Sequence, residues 1–339
     1  MDPDFVPLTV ADTPAWSALT TALARADGTD EFYSAEDLAN ELDEHGVRPE
    51  LDTWALHELD GGEDVVVAYG QVRVKAEPLD GRAIAVLGGG VHPDRRGRGI
   101  GRALMDRIEA RARELAAQRH PGVPVTLRNA GGLETDPVRA LLTHRGYRLS
   151  RWFVQMERDL PVPSDTASPS VPGYRVVPFT PDLSAGARHA RNAAFADHWG
   201  STTTSEAAWA DFTGARSFAA DVSFLAVPEA VTSVSAGTAE AAVGSFCLAQ
   251  DWQDGDVYLA LIGTSSQHRG RGLARACIAA SLDAAARLRD DDGRPRFTRA
   301  ALHVDADSPT GATRLYEAAG FEAVKTFGTF TRQVPALDG

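Results

Sequence analysis

Apolar and polar positions change their spacing several times along the chain, and the order of those changes occurs twice. Apolar residues recur at helical spacing over 15–25 and 35–45, and do so again over 183–197 and 205–213. Runs suited to strands follow at 54–59 and 65–74 in the first half and at 224–227 and 243–248 in the second. A third strand is expected at 83–87 and at 257–262, each running straight into a glycine-rich turn. Behind each turn helical spacing returns. Ile100, Leu104 and Ile108 in one half, and Leu273, Cys277 and Ser281 to Leu282 in the other, are placed to face a sheet. A short strand at 125–127 or 300–304, another helix and a closing pair of strands complete each half. The pattern predicts an α/β (α+β) architecture built twice, each copy a twisted, mostly antiparallel mixed sheet flanked by helices.

The repetition also holds residue by residue. Arg96-Gly97-Arg98-Gly99-Ile100-Gly101 matches Arg269-Gly270-Arg271-Gly272-Leu273-Ala274 at an offset of 173, and Gly146-Tyr147 matches Gly320-Phe321 at an offset of 174. Phe153 then matches Phe327, and Arg158 matches Arg332. Between the copies, residues 161–172 are dominated by proline and small polar residues and read as a linker, so the expected domains are 1–160 and 173–339. A second stretch of low complexity, 231–242, reads as a mobile hairpin tip inside the second domain.

At 339 residues the chain is long enough for two cores, and 43% hydrophobic with 24% charged residues is ordinary for a globular protein. The formal net charge of -13 argues against nucleic acid as a partner. No apolar run approaches the roughly 20 residues that span a bilayer, so neither a membrane nor any location but the cytoplasm is expected. Cys247 and Cys277 each lie in an apolar stretch and read as buried thiols. His92 and His303 flank strands without clustered partners, so no metal is expected.

The two glycine turns carry the candidate chemistry. Glycines between a strand and a helix let the backbone approach a ligand, and the unpaired N–H groups of the helix start attract an anion. A phosphate-binding Walker loop requires Lys followed by Ser or Thr, which both turns lack. A dinucleotide fingerprint requires a third glycine where Arg102 and Arg275 stand. Both turns instead resemble the Arg-x-x-Gly-x-Gly/Ala signature of the GNAT acyltransferase superfamily, so the chain is similar to two tandem GNAT folds. That resemblance implies acetyl-CoA or another acyl-CoA as co-substrate. It is implied to be held by Val91, Arg96, Gly97, Arg98, Gly99, Ile100 and Gly101 in one copy, and by Thr264, Arg269, Gly270, Arg271, Gly272, Leu273 and Ala274 in the other. Gly88-Gly89-Gly90 fits the bulge expected where the sheet opens for the pantetheine arm.

The resemblance also implies the reaction, transfer of an acyl group to an amine. The stretch from Ser308 to Phe321 resembles the family's Asn-x-x-x-Ala-x-x-Leu-Tyr-x-x-x-Gly-Phe helix, which makes Tyr316 the expected general acid and Ser308 the residue in the Asn position. A carboxylate on the strand before the loop is the expected base. Asp254 and Asp256 share one face by strand alternation, and Asp256 lies nearer the bend. The first copy has Leu142 and Ala83 at the matching positions, so the second copy is expected to catalyse and the first to be degenerate. Asp197, His198 and Trp199 are candidates for the acceptor pocket, or serve as helix-end packing. A small-molecule amine, a secondary metabolite among the options, is the leading acceptor. A protein lysine or N-terminus, or a non-catalytic acyl-CoA-binding role, remain as alternatives.

Overall fold

The computed structural model describes residues 3–337 apart from 30–31, 161–169, 197, 232–241, 253–254 and 309–310. Most of the expected linker and of the 231–242 tip lies outside the described residues, as do Asp197 and Asp254. The helices are α1 (Thr13–Asp27), α2 (Ala35–Leu42), α3 (Pro49–Asp52), α4 (Ile100–Arg119), α5 (Pro137–His144), α6 (Ser184–Ala194), α7 (Glu206–Gly214), α8 (Leu273–Arg287) and α9 (Ala312–Ala318). The strands are β1 (Thr53–Asp60), β2 (Glu63–Val74), β3 (Ala83–Val91), β4 (Val125–Leu133), β5 (Arg148–Asp159), β6 (Tyr174–Pro178), β7 (Phe224–Pro228), β8 (Ser245–Asp251), β9 (Asp256–Thr264), β10 (Arg299–Asp305) and β11 (Glu322–Val334).

The chain forms two compact units, Met1–Phe153 with Thr326–Gly339, and Val154–Lys325. In the first, the strands run in the order β1-β2-β3-β4-β11-β5; in the second, β5-β10-β9-β8-β7-β6. The first unit therefore takes a strand from the end of the chain, and the second takes the later part of β5. This differs from a division at the linker. Each copy also ends in one long strand rather than a closing pair, although β11 shifts register between Phe327 and Thr329. The matched residues Phe153 and Phe327 stack at 5.8 Å within the first unit. The sheets are mixed: β3 with β4 and β9 with β10 are parallel, and the other described pairings are antiparallel.

Each core forms where a helix lies along its sheet. On α4, Ile100, Leu104, Ile108, Ala112 and Leu115 recur at i+4 and i+3 and are all buried. Ile108, 1% exposed, contributes about 1.5–3 kcal/mol through its burial. Close approach of this helix requires Gly70 on β2, because a side chain there would meet Leu104 and Ile108 within 2.7 Å. In the second unit Leu273, Cys277, Ile278 and Leu282 of α8 join Val257 and Leu259 of β9 in the same apolar cluster. Both helices begin where the glycine turns end, so the packing of each fixes the position of its loop.

Candidate functional site

Each loop is held open by backbone conformation. Gly97 and Gly99 have φ of 77° and 85°, and Gly270 and Gly272 have 75° and 80°, values that favour glycine. Gly99 and Gly272 are the N-caps of α4 and α8, with no side chain capping either helix. A Cβ on any of the four would meet nothing within 4 Å, so conformation rather than crowding selects glycine, and the space beside each loop is open. The first-turn N–H groups are the unsatisfied donors that bind anions, strengthened by the helix dipole.

Ahead of each loop the sheet divides. Pairing of β9 with β10 covers Arg299↔Asp256, Ala300↔Val257 and Ala301↔Tyr258 and then stops, leaving Leu259 to Thr264 without a β10 partner. On its other edge β9 stays paired with β8, with a register shift between Leu248 and Ala249. Unpaired backbone groups along such an edge accept an extended ligand as a strand would. In the first unit β3 pairs with β4 from Ala83↔Val125 to Leu87↔Asn129, leaving Gly88 to Val91. The bulge expected at Gly88-Gly89-Gly90 is absent, since the β2–β3 register runs unbroken from Ala68↔Val91 to Val74↔Ala85. Close approach accounts for these glycines instead. A Cβ on Gly89 would lie 2.6 Å from the Tyr69 carbonyl oxygen, and one on Gly90 would lie 2.3 Å from Leu23 of α1.

The motif arginines brace the loops from behind. Arg96 donates through Nε to the Val91 carbonyl at 3.1 Å and through both Nη atoms to Asp27 of α1 at 2.7 Å. Arg269 repeats the arrangement in the second unit, donating to the carbonyls of Thr264 at 3.3 Å and Ala194 of α6 at 3.2 Å. In both units these contacts are with groups of this chain, a strand-end carbonyl and the preceding helix. Ile100 and Leu273 are buried in the cores, leaving their main chains to face the loop. Gly101 would bring a Cβ to 3.7 Å from Leu141 and Val91, while Ala274, its counterpart, is half-buried. Arg98 donates to the Asp94 carbonyl at 3.3 Å. Arg271 lies 5.8 Å from the Tyr174 ring, and the Tyr174 hydroxyl bonds His268 Nδ1 at 2.6 Å. Burial, then the Arg271 charge, lowers the His268 pKa.

Tyr316 is buried on α9, in the apolar cluster that contains Val257 and Leu259 at the fork of β9 and β10. Burial raises its pKa above the ordinary phenol range, as do nearby Cys247 and Tyr258, so the hydroxyl stays protonated at neutral pH. Cys247 is fully buried and its thiol is pushed up to about 12, which excludes a thiolate nucleophile there. Ser308 follows β10, its N–H bonded to the Asp305 carbonyl at 3.0 Å. In the first unit Leu142 stands at the position of Tyr316 and is fully buried.

Asp256 is ion-paired. It lies in the paired part of β9, on the closed side of the fork, and its Oδ2 accepts from Arg299 Nε at 2.7 Å and from a second guanidinium nitrogen at 2.5 Å. Arg299 also donates to Glu157 at 2.7 Å. Parallel pairing places Arg299 beside Asp256, a neighbour that the local sequence around either residue does not disclose. His198 and Trp199 lie next to the loop end of β9. The His198 ring contacts Phe195 at 5.3 Å, Phe195 leans on Phe246, and Phe246 pairs with Gly263. Two further polar pairs were not anticipated, Tyr174 with His268 and Tyr258 with His303. Among the described residues, no group of three or more His, Cys, Asp or Glu is arranged to hold a metal, and no helix is long and apolar enough to cross a membrane.

The Acetyltransferase (GNAT) family profile matches residues 16–130 and 197–321. The chain is 32% identical over 317 residues to a mycothiol acetyltransferase of Kineococcus radiotolerans, covering 91% of this chain and 89% of that one. It resembles in fold a GCN5-related N-acetyltransferase from Sphaerobacter thermophilus (TM-score 0.71, 23% identity, 99% and 97% of the two chains). It likewise resembles a tandem GNAT protein from the clavulanic acid biosynthesis pathway (TM-score 0.69, 22% identity, 99% of each chain). With two open glycine loops, each at the end of a dividing sheet and each inside a matched segment, the chain belongs to the GNAT acetyltransferase family as a tandem member carrying two copies of the domain.

Proposed function

We propose that this protein is an acetyl-CoA-dependent N-acetyltransferase that acylates an amine of a small molecule, with the chemistry confined to its second unit. The observation that carries this reading is Tyr316, a protonated phenol set beside the fork of β9 and β10, where the first unit has Leu142. The amides from Gly270 to Ala274 bind the pyrophosphate of the co-substrate. The free edge of β9 takes the pantetheine arm, with Thr264 and Ser308 at either side of the opening. As the acceptor nitrogen bonds to the thioester carbon, the C–S bond breaks and the departing thiolate takes its proton from Tyr316. The acceptor enters across α6, near His198 and Trp199. Similarity to mycothiol acetyltransferases supports a small amine, and an aminothiol conjugate of the mycothiol kind is the first acceptor to try.

The first unit keeps an open loop, and Gly97, Arg98, Gly99 and Gly101 remain available to a second molecule of co-substrate. Without an acid beside its fork, that site does not turn over. The test is product analysis by mass spectrometry after incubation with acetyl-CoA and either a set of small amines or lysine-containing and free N-terminal peptides. Acetylated small amines are the expected products. Modification of the peptides alone contradicts the reading.

A further inference from the structure

The first turn of α4 carries a cation where the helix dipole disfavours one. Arg102 lies in that turn, is exposed, and has no side-chain partner among the described residues. Helix α5 ends at His144, with Arg145 as its C-cap, and His144 is likewise exposed and without a described partner. Cations at a helix C-terminus suit its dipole, so His144 and Arg145 alone need no further account. Arg102 does. These helix ends border an open cleft of about 550 Å³, lined by Arg102, Leu141, His144, Arg145 and Arg332, with no carboxylate in the lining. Glu109 accepts from Arg145 at 2.8 Å and from Arg332 at 3.0 Å, and Asp106 accepts from Arg145 at 2.7 Å. Those bonds fix two guanidiniums on the wall of the cleft, and Arg102 and His144 add charge that no described carboxylate offsets.

The second unit has no such lining. Arg275 takes the place of Arg102, but Ala318 and Ala319 stand where His144 and Arg145 do, and Arg158, the counterpart of Arg332, bonds the Ala319 carbonyl. A domain of this kind therefore folds without the cationic cleft. In a chain of net charge -13, a lining of three guanidiniums and an imidazole selects for a compact anion. Guanidinium forks match the oxygens of phosphate, and several can share one phosphate group where a carboxylate offers only two oxygens. The volume is too large for a bare ion and falls in the range of small-molecule sites. Arg102 follows the N-cap Gly99 by three residues, about 4.5 Å along the helix axis, so the cleft opens beside the first glycine loop.

From these observations we infer that the first unit binds an organic phosphate monoester in the cleft between α4 and α5, through Arg102, His144, Arg145 and Arg332. This site goes beyond the proposed acetyl transfer and does not depend on it. Two sources share the chemistry. One is the 3′-phosphate of a coenzyme A molecule whose diphosphate rests on the loop at Gly97 and Gly99, and the other is a free phosphorylated metabolite.

The test follows the His144 ring by NMR in the full chain, its signal assigned by its loss in His144→Gln. The probes are acetyl-CoA, 3′-dephospho-acetyl-CoA and glycerol 3-phosphate. A shift with acetyl-CoA but not with its dephospho form assigns the site to the phosphate of the co-substrate, and a shift with glycerol 3-phosphate shows that a free ester suffices. Arg102→Gln moves the midpoint of the shift about tenfold higher in probe concentration, and Arg102→Lys keeps it within about threefold. Arg275→Gln, at the matching place in the second unit, leaves the midpoint unchanged. If no probe moves the signal, or acetyl-CoA and its dephospho form move it alike while glycerol 3-phosphate does not, the site is contradicted. An Arg102→Gln midpoint equal to that of wild type contradicts it as well. A chain that responds to glycerol 3-phosphate but binds no acetyl-CoA defeats the acetyltransferase reading and leaves the phosphate site standing.

Discussion

The two units share a loop but not its surroundings. In both, a pair of glycines at positive φ starts a long helix, and an arginine ties the loop to the end of the strand and to the preceding helix. The side chains then diverge. Leu23 presses on Gly90 in the first unit, where Ala194 lies over Gly263 in the second. Leu142 fills the position of Tyr316. Inside α4 the first unit buries Glu109, bonded to Arg145, Tyr147 and Arg332, and α8 has buried Leu282 at that position. Backbone geometry that starts a helix is needed to fold either unit, so it persists without chemistry. Catalytic capacity resides in side chains that folding does not require.

The largest expected effect breaks the comparison on stability. Glu109→Ala leaves Arg332 and the buried Tyr147 hydroxyl without their acceptor, and the first unit loses about 3–5 kcal/mol in denaturant unfolding. Leu282→Ala, at the matching site of the second unit, costs a similar 2–5 kcal/mol through a cavity, and also impairs acetyl transfer. Next is Tyr316→Phe, expected to lower kcat about 100-fold without changing acetyl-CoA affinity, as read by steady-state kinetics and calorimetry. An unchanged kcat would remove the distinction drawn between Tyr316 and Leu142. The smallest effect concerns His268. Its folded pKa is lowered, so below the ordinary histidine value of about 6.5 the unfolded chain takes up a proton that the folded unit resists. Stability of the second unit accordingly declines as pH falls through that range, and His268→Gln flattens the slope in thermal unfolding.

Local sequence disclosed those features that local geometry determines. The glycine turns and the helices behind them follow from spacing and residue type within about 20 positions, and Tyr316 stands out through the resemblance of its helix to the family motif. What stayed hidden depends on partners far apart in sequence. Asp27 meets Arg96 across 69 positions, and Arg299 meets Asp256 across 43. Alternation gives the face on which Asp256 lies but not Arg299, its neighbour there. The exchange of β5 and β11 was hidden for a different reason. Phe153 and Phe327, like Arg158 and Arg332, occupy equivalent positions, so the pattern of either strand suits either sheet. A run of glycines such as 88–90 fits a bulge, yet close contact with Tyr69 and Leu23 selects for glycine equally well.

The central claim is that acetyl transfer depends on the second loop and not on the first. Gly272→Ala and Gly99→Ala impose the same left-handed strain, about 1–2 kcal/mol, on equivalent helix starts. Measuring kcat/KM for acetyl-CoA in both variants compares the loops directly. The account predicts a loss of about tenfold for Gly272→Ala and a value within twofold of wild type for Gly99→Ala. The reverse order, or equal losses, would contradict it.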